Sequence, residues 1–328
     1  FFGGSLGILV WTITWVGSLV VLSKGHRGQT SVAIGTNPHG FDWKALYHML
    51  TALSECEFAA GDISGQDMSE RSWWGFVLGH AFCAQYGYPA GSFPYNCVFN
   101  ACTAALAPLL VIYDQLYYMD YLNSSGGWLT GVLNSFVSVC CFNFCLIVSQ
   151  EISLNEEYKK EHKRDITRGI FYGDDNFWSF KKKYASEFNM VILARLTFHY
   201  FGIKYTTPEK TEITEPFSKF EDLEFLKRKF RVDGTDVFAP LAEESIRSML
   251  LWIRTPKNEE GIRTTEPLYL EQQWLINVET AAQEWFHYGR ERFEQECLIL
   301  AERCRQLGLT YTGKPYEHYL GAYLRGFV

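Results

Sequence analysis

The chain lacks the ligand spacing of a structural zinc site. Its nine cysteines include no Cys-x2-Cys pair and its eight histidines are scattered, so no tetrahedral thiolate and imidazole set is assembled. The same scatter leaves a Ser-His-Asp or Cys-His nucleophile without support. No secretory context accompanies the cysteines. Three of them, Cys140, Cys141 and Cys145, sit in the apolar run FVSVCCFNFCLIV, which predicts buried thiols in a reducing compartment. There is no internal repeat and no low-complexity tract, which excludes a solenoid and a disordered chain. Excess positive charge is missing too: the formal net charge is −7, so any attraction for a polyanion must be local.

What the chain has is apolar mass. With 328 residues, 47% hydrophobic and 16% aromatic, it can bury a sizeable core in two or three packed units. Positive charge is concentrated in YKKEHKR (Tyr158 to Arg164), FKKKY (Phe180 to Tyr184) and FLKRKFR (Phe225 to Arg231), each of which, taken singly, reads as a solvated face. The first 23 residues carry no charge and begin without Met. They are long enough to cross a bilayer of about 30 Å, but their glycines suit close helix packing, and the expectation is a buried helix in a fragment that starts inside a domain.

Along the chain, GTNPHGFDW (Gly35 to Trp43) is a turn-rich loop leading into a helix with Asp42 near its start. CEFAAGDI alternates as a strand ending at Asp62, and helical spacing resumes from Ser69, so Asp62 and Asp67 bracket a strand-to-helix turn. A Gly-rich loop precedes a long apolar helix that carries Thr130 and Asn134 on one face. RGIFYGDDNFWSF (Arg168 to Phe180) reads as a hairpin with Gly173 at its turn, followed by a helix around Tyr184 to Tyr200. A second hairpin is predicted in FEDLEFLKRKFRVDG, and helices from about Phe238 to Leu307. The tryptophans Trp73, Trp74, Trp178 and Trp252 read as packing residues.

Two adjacent carboxylates at a hairpin tip, Asp174 and Asp175, repel each other unless a cation sits between them and its substrate. Hard oxygen ligands suit Mg²⁺ or Mn²⁺. Asp62, at another strand end, is the natural third carboxylate.

In that order the strings resemble the viral RNA-dependent RNA polymerases of the picorna-like group (picornavirus, dicistrovirus and iflavirus types). DISGQD is similar to motif A, SGGWLTGVLNS (Ser125 to Ser135) to motif B, YGDD to motif C, GIKYTTPEK to motif D and FLKRKFR to motif E. Each string is weak alone, but five in the family's order over about 170 residues are a strong signal. GTNPHGFDW and the helical tail from Glu243 resemble further segments of the same enzymes. The resemblance implies an α+β right-hand polymerase with an antiparallel-sheet palm (61–80 and 121–235), partial fingers (1–60 and 81–120) and a helical thumb (236–328).

It also implies roles. Asp62, Asp174 and Asp175 would hold two divalent ions about 4 Å apart, Mg²⁺ with Mn²⁺ able to substitute. Asp67, Ser125, Gly126, Thr130 and Asn134 would form the nucleotide and ribose site, with the 2′-hydroxyl sensed by Asp67, Ser125 and Asn134. Lys210 would protonate the leaving pyrophosphate. Lys227 and Arg228 would face the primer phosphates. The implied activity is templated ribonucleotide addition to an RNA 3′ end during replication of a positive-strand RNA genome. The implied partners are template and primer RNA, rNTPs and other viral replication proteins, in host cytoplasm at membrane-associated replication complexes, with membrane contact indirect.

Gln66 departs from the family, standing where many relatives have an aromatic residue, and the resemblance implies that the family's basic motif F would lie before Phe1. Three alternatives remain open at this stage: a reverse transcriptase-like polymerase, a catalytically silent RNA-binding scaffold, and an assembly protein anchored by residues 1–23.

Overall fold

The computed structural model describes residues 31–69, 71–106, 109–118, 130–253, 255 and 266–326. Ser125, Gly126, Gly127 and the apolar run 1–23 lie outside the described residues, as does the side chain of Asp67. The chain forms two compact units. One holds, among the described residues, 31–36 and His48–Phe225, and the other holds Asn37–Tyr47 with 226–326. The division falls after Phe225 and detaches Asn37–Tyr47 from its neighbours, whereas the sequence groups 1–60 together and divides at 235.

Helix α1 (Phe41–Leu50) runs from the second unit into the first. The first unit is then built from β1 (Cys56–Ile63), α2 (Gln66–Ser69), α3 (Trp73–Gln85), α4 (Phe93–Leu106), the hairpin β2 (Leu109–Ile112) and β3 (Gln115–Tyr118), and α5 (Thr130–Ile152). There follow α6 (Glu156–Lys160), α7 (Lys163–Ile166), β4 (Thr167–Tyr172), β5 (Asp175–Lys181), α8 (Met190–Phe201) and β6 (Tyr205–Thr206). Strands β4, β5, β1 and β6 form one antiparallel sheet in that order. Its apolar face is covered by α5, whose Phe142 packs edge-on against Phe171, Trp178 and Phe188 at 5.3 to 5.5 Å between ring centroids.

Among the described residues α5 is the one helix long and apolar enough to cross a membrane, yet Leu133, Val137, Cys141, Cys145 and Leu146 along it are buried in this core. An all-round apolar helix is what a central position demands. Helix α8 begins six residues later than the pattern at Tyr184 suggests, because Asn189 caps it, its side chain accepting from the Val191 and Ile192 amides.

Strand β1 can lie flat beside β6 only because residue 61 is glycine. A Cβ there would stand 2.2 Å from the Tyr205 ring, whose hydroxyl donates to Asn176 at 2.5 Å and accepts from Trp178 Nε1 at 3.3 Å. Gly61→Ala is therefore expected to lower the stability of this unit by about 1 to 3 kcal/mol. Urea unfolding checks this, with Gly131→Ala, where a Cβ meets nothing within 4 Å, expected to be neutral or slightly stabilising.

The second unit adds β7 (Arg231–Asp233), β8 (Asp236–Phe238), α9 (Glu243–Met249), α10 (Pro267–Phe286), α11 (Arg290–Gln306) and α12 (Tyr316–Arg325). The hairpin lies later than predicted, over 231–238, because Gly234-Thr235 supplies the turn between paired Asp233 and Asp236, with Gly234 at φ 61. Residues before it form a 3-10 turn and loop with Leu226 and Lys227 in the left-handed region. Helix α12 extends the helical region beyond Leu307, which the sequence pattern does not reveal. The core gathers Phe238, Ile246, Trp285, Phe286 and Tyr323. Trp252, expected as a packing residue, is 77% exposed, and Trp73 is 41% exposed; Trp74 and Trp178 are buried.

The segment Asn37–Tyr47 joins this unit through specific contacts. Trp43 stacks on Phe230 at 4.6 Å and donates to the Lys229 carbonyl at 3.1 Å, and Lys44 pairs with Asp236 at 3.1 Å. His287 Nδ1 accepts from the Ala239 amide at 3.3 Å, so its Nε2 hydrogen is directed to His39 Nδ1 at 2.8 Å, and His39 Nε2 meets Glu284 at 3.4 Å. Burial, with His39 beside it, holds the His287 imidazole well below its ordinary value, so it is neutral at physiological pH.

Candidate active site

Antiparallel pairing sets the site. Strand β1 pairs with β5 from Cys56 opposite Lys181 to Gly61 opposite Asn176, which brings the end of β1 level with the β4–β5 turn. That turn is a two-residue connection closed by Tyr172 opposite Asp175. Gly173 occupies the left-handed region at φ 61, a conformation that favours glycine and suits the twist of a tight hairpin. The Ile63 amide donates to the Asp174 carbonyl at 3.3 Å, joining the two acidic strand ends directly. Asp62, Asp174 and Asp175 are thus drawn to one end of the sheet.

The three carboxylates differ in setting. Asp62 is only 4% exposed and its Oδ2 has no hydrogen-bond partner. Asp174 and Asp175 are half-buried. Burial first, and then the charge and hydrogen bond of Asp174, lift the Asp62 carboxyl to about 6 against the partial offset of the Lys210 ammonium. An anionic oxygen enclosed without a donor, beside a second carboxylate, is a donor set suited to a hard divalent cation.

Lys210 reaches this site from the loop after β6. Pairing of Asp62 with Thr206 and Ile63 with Tyr205 attaches that loop to β1, and Lys210 turns in the left-handed region at φ 62 with its amide on the Thr207 carbonyl at 2.8 Å. Its side chain is exposed. Thr130 opens α5 half-buried, and Asn134, one turn on, is 7% exposed.

Residues 227 and 228 belong to the second unit and divide in character. Lys227 is exposed. Arg228 corrects the primer-binding expectation: its fork donates to both Glu284 oxygens at 2.7 Å and to the Ala239 carbonyl at 2.8 Å, with 11% and 6% exposure for the two side chains. Burial alone would raise the Glu284 carboxyl, but the hydrogen bonds from His39 and Arg228 hold it at about 2. His39, Glu284 and His287 place ligand atoms within 4.8 Å of one another, yet the guanidinium already satisfies the carboxylate and the two rings bond each other, so the cluster is a hydrogen-bonded lock and not a cation site.

Sequence reasoning misses Ser135, Ser138 and the inward role of Gln66. Ser135 and Ser138 lie at four and seven residues from Gly131, one stripe of α5. The signal lies in the serines of a largely apolar helix, since a buried hydroxyl needs a partner.

The sequence matches the family described as viral RNA-dependent RNA polymerase over residues 16–305. It is 29% identical over 277 residues to the RNA1 polyprotein of Grapevine fanleaf virus, a match covering 82% of this chain and 11% of the polyprotein. It is 26% identical over 284 residues to the replicase polyprotein of Drosophila C virus, covering 82% and 15%, and 25% identical over 324 residues to that of Acute bee paralysis virus, covering 91% and 16%. The solved Sicinivirus 3Dpol RNA dependent RNA polymerase superposes with a TM-score of 0.72 at 19% identity, covering 95% of this chain and 59% of that one.

Proposed function

The chain belongs to the viral RNA-dependent RNA polymerase family of the picorna-like viruses and has the α+β right-hand polymerase fold, and from this premise we propose that it catalyses template-directed addition of ribonucleotides to an RNA 3′ end. The observation that carries the proposal is the meeting of Asp62, enclosed and without a donor on Oδ2, with the Asp174 turn at one end of the sheet. In this reading the four-stranded sheet with α5 is the palm and the helices after β8 are the thumb.

Asp62 and Asp174 would hold the divalent cations, assisted by Asp175, with Mg²⁺ the physiological ion and Mn²⁺ a substitute. When bound, the cations supply charge neutralisation at the triphosphate and lower the pKa of the attacking hydroxyl. Asn134 and Thr130 would face the ribose, with Asp67, Ser125 and Gly126 assigned to the same site by the family resemblance alone, and a hydrogen-bonding amide there would favour a sugar bearing a 2′-hydroxyl. Lys210, exposed beside Asp62, is free to give its proton to the departing pyrophosphate. Lys227 contributes charge toward the primer strand. Template and primer RNA, rNTPs and other viral replication proteins are the expected partners, at membrane-associated complexes in host cytoplasm.

Extension of a labelled RNA primer on an RNA template tests this, comparing rNTPs with dNTPs and wild type with Asp174→Ala. Extension with rNTPs that disappears in the variant is expected. Preference for dNTPs would move the chain to the reverse transcriptases, and extension unaffected by Asp174→Ala would overturn the site.

A further inference from the structure

The Asp174 turn is held from behind as well as by its own strands. The Gly173 amide donates to Ser135 Oγ at 2.8 Å, and Ser138 Oγ donates to the Gly173 carbonyl at 2.7 Å. Each hydroxyl has one hydrogen to give. Ser135 gives its hydrogen to the Gly131 carbonyl at 2.6 Å, and Ser138, having given its own to Gly173, accepts from Gln66 Nε2 at 3.3 Å. Gln66 Nε2 also donates to the Asn134 carbonyl at 2.8 Å. Every hydrogen in this network has a single direction, and the network ties together three segments: the one after Asp62, the helix carrying Asn134 and the turn carrying Asp174.

Burial gives these bonds their weight. Gln66 is 3% exposed, Ser135 0% and Ser138 3%, so a peptide group that loses its hydroxyl partner has no water to replace it. Strand pairing and the Ile63 to Asp174 bond at 3.3 Å hold the turn from the sheet side, and the two serine bonds to Gly173 hold it from the helix side. Resting on the polymerase reading above, we infer that Gln66, Ser135 and Ser138 are positioning residues that hold the Asp174 turn in register with Asp62 and so set how tightly the acidic pair retains a divalent cation.

Calorimetric titration of the full chain with Mn²⁺, with thermal melting of the same samples, tests this. Ser138→Ala and Gln66→Met are expected to raise the Mn²⁺ dissociation constant about tenfold, as loss of an outer partner of a metal ligand does, and to lower kcat for primer extension while KM for rNTP stays within about twofold. Ser149→Ala is the control. Ser149 lies on the same helix at 2% exposure, donating to the Leu146 carbonyl at 2.7 Å and bonded to the Tyr158 hydroxyl at 2.7 Å, so it should lower melting and leave Mn²⁺ affinity at the wild-type value.

Ser135→Ala is the most severe variant, and if it fails to fold the other two decide. Mn²⁺ affinity unchanged in both, with melting lowered as in Ser149→Ala, overturns the inference. Asp174→Ala separates this outcome from failure of the site itself: Mn²⁺ binding that survives Asp174→Ala removes the acidic pair as the metal site, whereas binding lost there and kept in the Ser138 and Gln66 variants removes only the positioning role.

Discussion

Asp62→Asn is expected to abolish nucleotide addition and, in metal-free buffer at pH 8, to make the protein more stable. The first effect follows from losing an anionic ligand where charge must be neutralised, which is worth several kcal/mol in the transition state and corresponds to at least about a thousandfold in rate. The second follows from the setting of the carboxyl, lifted to about 6 by burial and by Asp174 against the pull of Lys210. A group whose folded-state pKa is raised stabilises the fold fully below its ordinary value of 3.8 and loses that contribution as pH rises through about 6. At pH 8 the wild-type chain therefore carries an ionised, enclosed carboxylate that asparagine removes, a gain on the order of 2 kcal/mol. Urea unfolding at pH 4 and pH 8 in chelator measures it: the variant's advantage should be present at pH 8 and absent at pH 4. Saturating Mg²⁺ should stabilise wild type and leave the variant unmoved. Equal stability of the two proteins at pH 8 without metal would show that Asp62 is better solvated than its 4% exposure implies.

Arg228→Ala should be among the most damaging single changes in the second unit, with an expected loss of about 3 to 5 kcal/mol, because it leaves the Glu284 carboxylate buried with only His39 near its oxygens. Lysine should rescue little, since one ammonium cannot reproduce two donors at 2.7 Å on separate oxygens. The paired change Arg228→Met with Glu284→Gln should recover much of the loss. The sign with pH is opposite to that of Asp62. Glu284 is held at about 2 against an ordinary 4.5, so its contribution is present above 4.5 and is lost as pH falls toward 2. The deficit of Arg228→Ala should accordingly shrink on acidification. RNA binding discriminates the two neighbours: Lys227→Ala should reduce the salt dependence of affinity by about one phosphate contact, and Arg228→Ala, at temperatures where it stays folded, should leave that slope alone. A slope changed equally by both would return Arg228 to the RNA.

Much of this was legible in the sequence because the relevant signals are local. A turn glycine between two apolar strands announces the Asp174 hairpin, and strand alternation ending in Asp62 announces its partner. What was not legible depends on pairs distant in the chain. Arg228 in a basic run looks like a phosphate ligand until Glu284 is seen 56 residues later. The hairpin at 231–238 reads too early from sequence because the aromatic and basic residues before it alternate, while the deciding Gly234-Thr235 turn lies after them. Gln66 was recognised as a departure from the family, but its bond to Ser138, 72 residues away, has no sequence signature. Helix α12 does carry a stripe at helical spacing, Tyr316, Tyr319 and Tyr323, but it is built of tyrosines and follows a polar Gly-Pro loop, so it does not read as a continuation of the apolar helices before it.

The attachment of Asn37–Tyr47 bears on how this chain is synthesised. That segment leaves the ribosome early, yet the groups that receive it, Lys229, Asp236 and His287, follow 186, 192 and 248 residues behind their partners. The intervening sheet and its helix are complete in sequence by Thr206, ahead of all three groups. Trp43 and His39 must therefore wait, unsatisfied, through the translation of an entire folding unit, and the closing of so long a loop is a late and slow event. It follows that a fragment cut at residue 226 would emerge without its first tryptophan anchor, and that excising this unit for study requires supplying the early segment in trans or rejoining it by circular permutation.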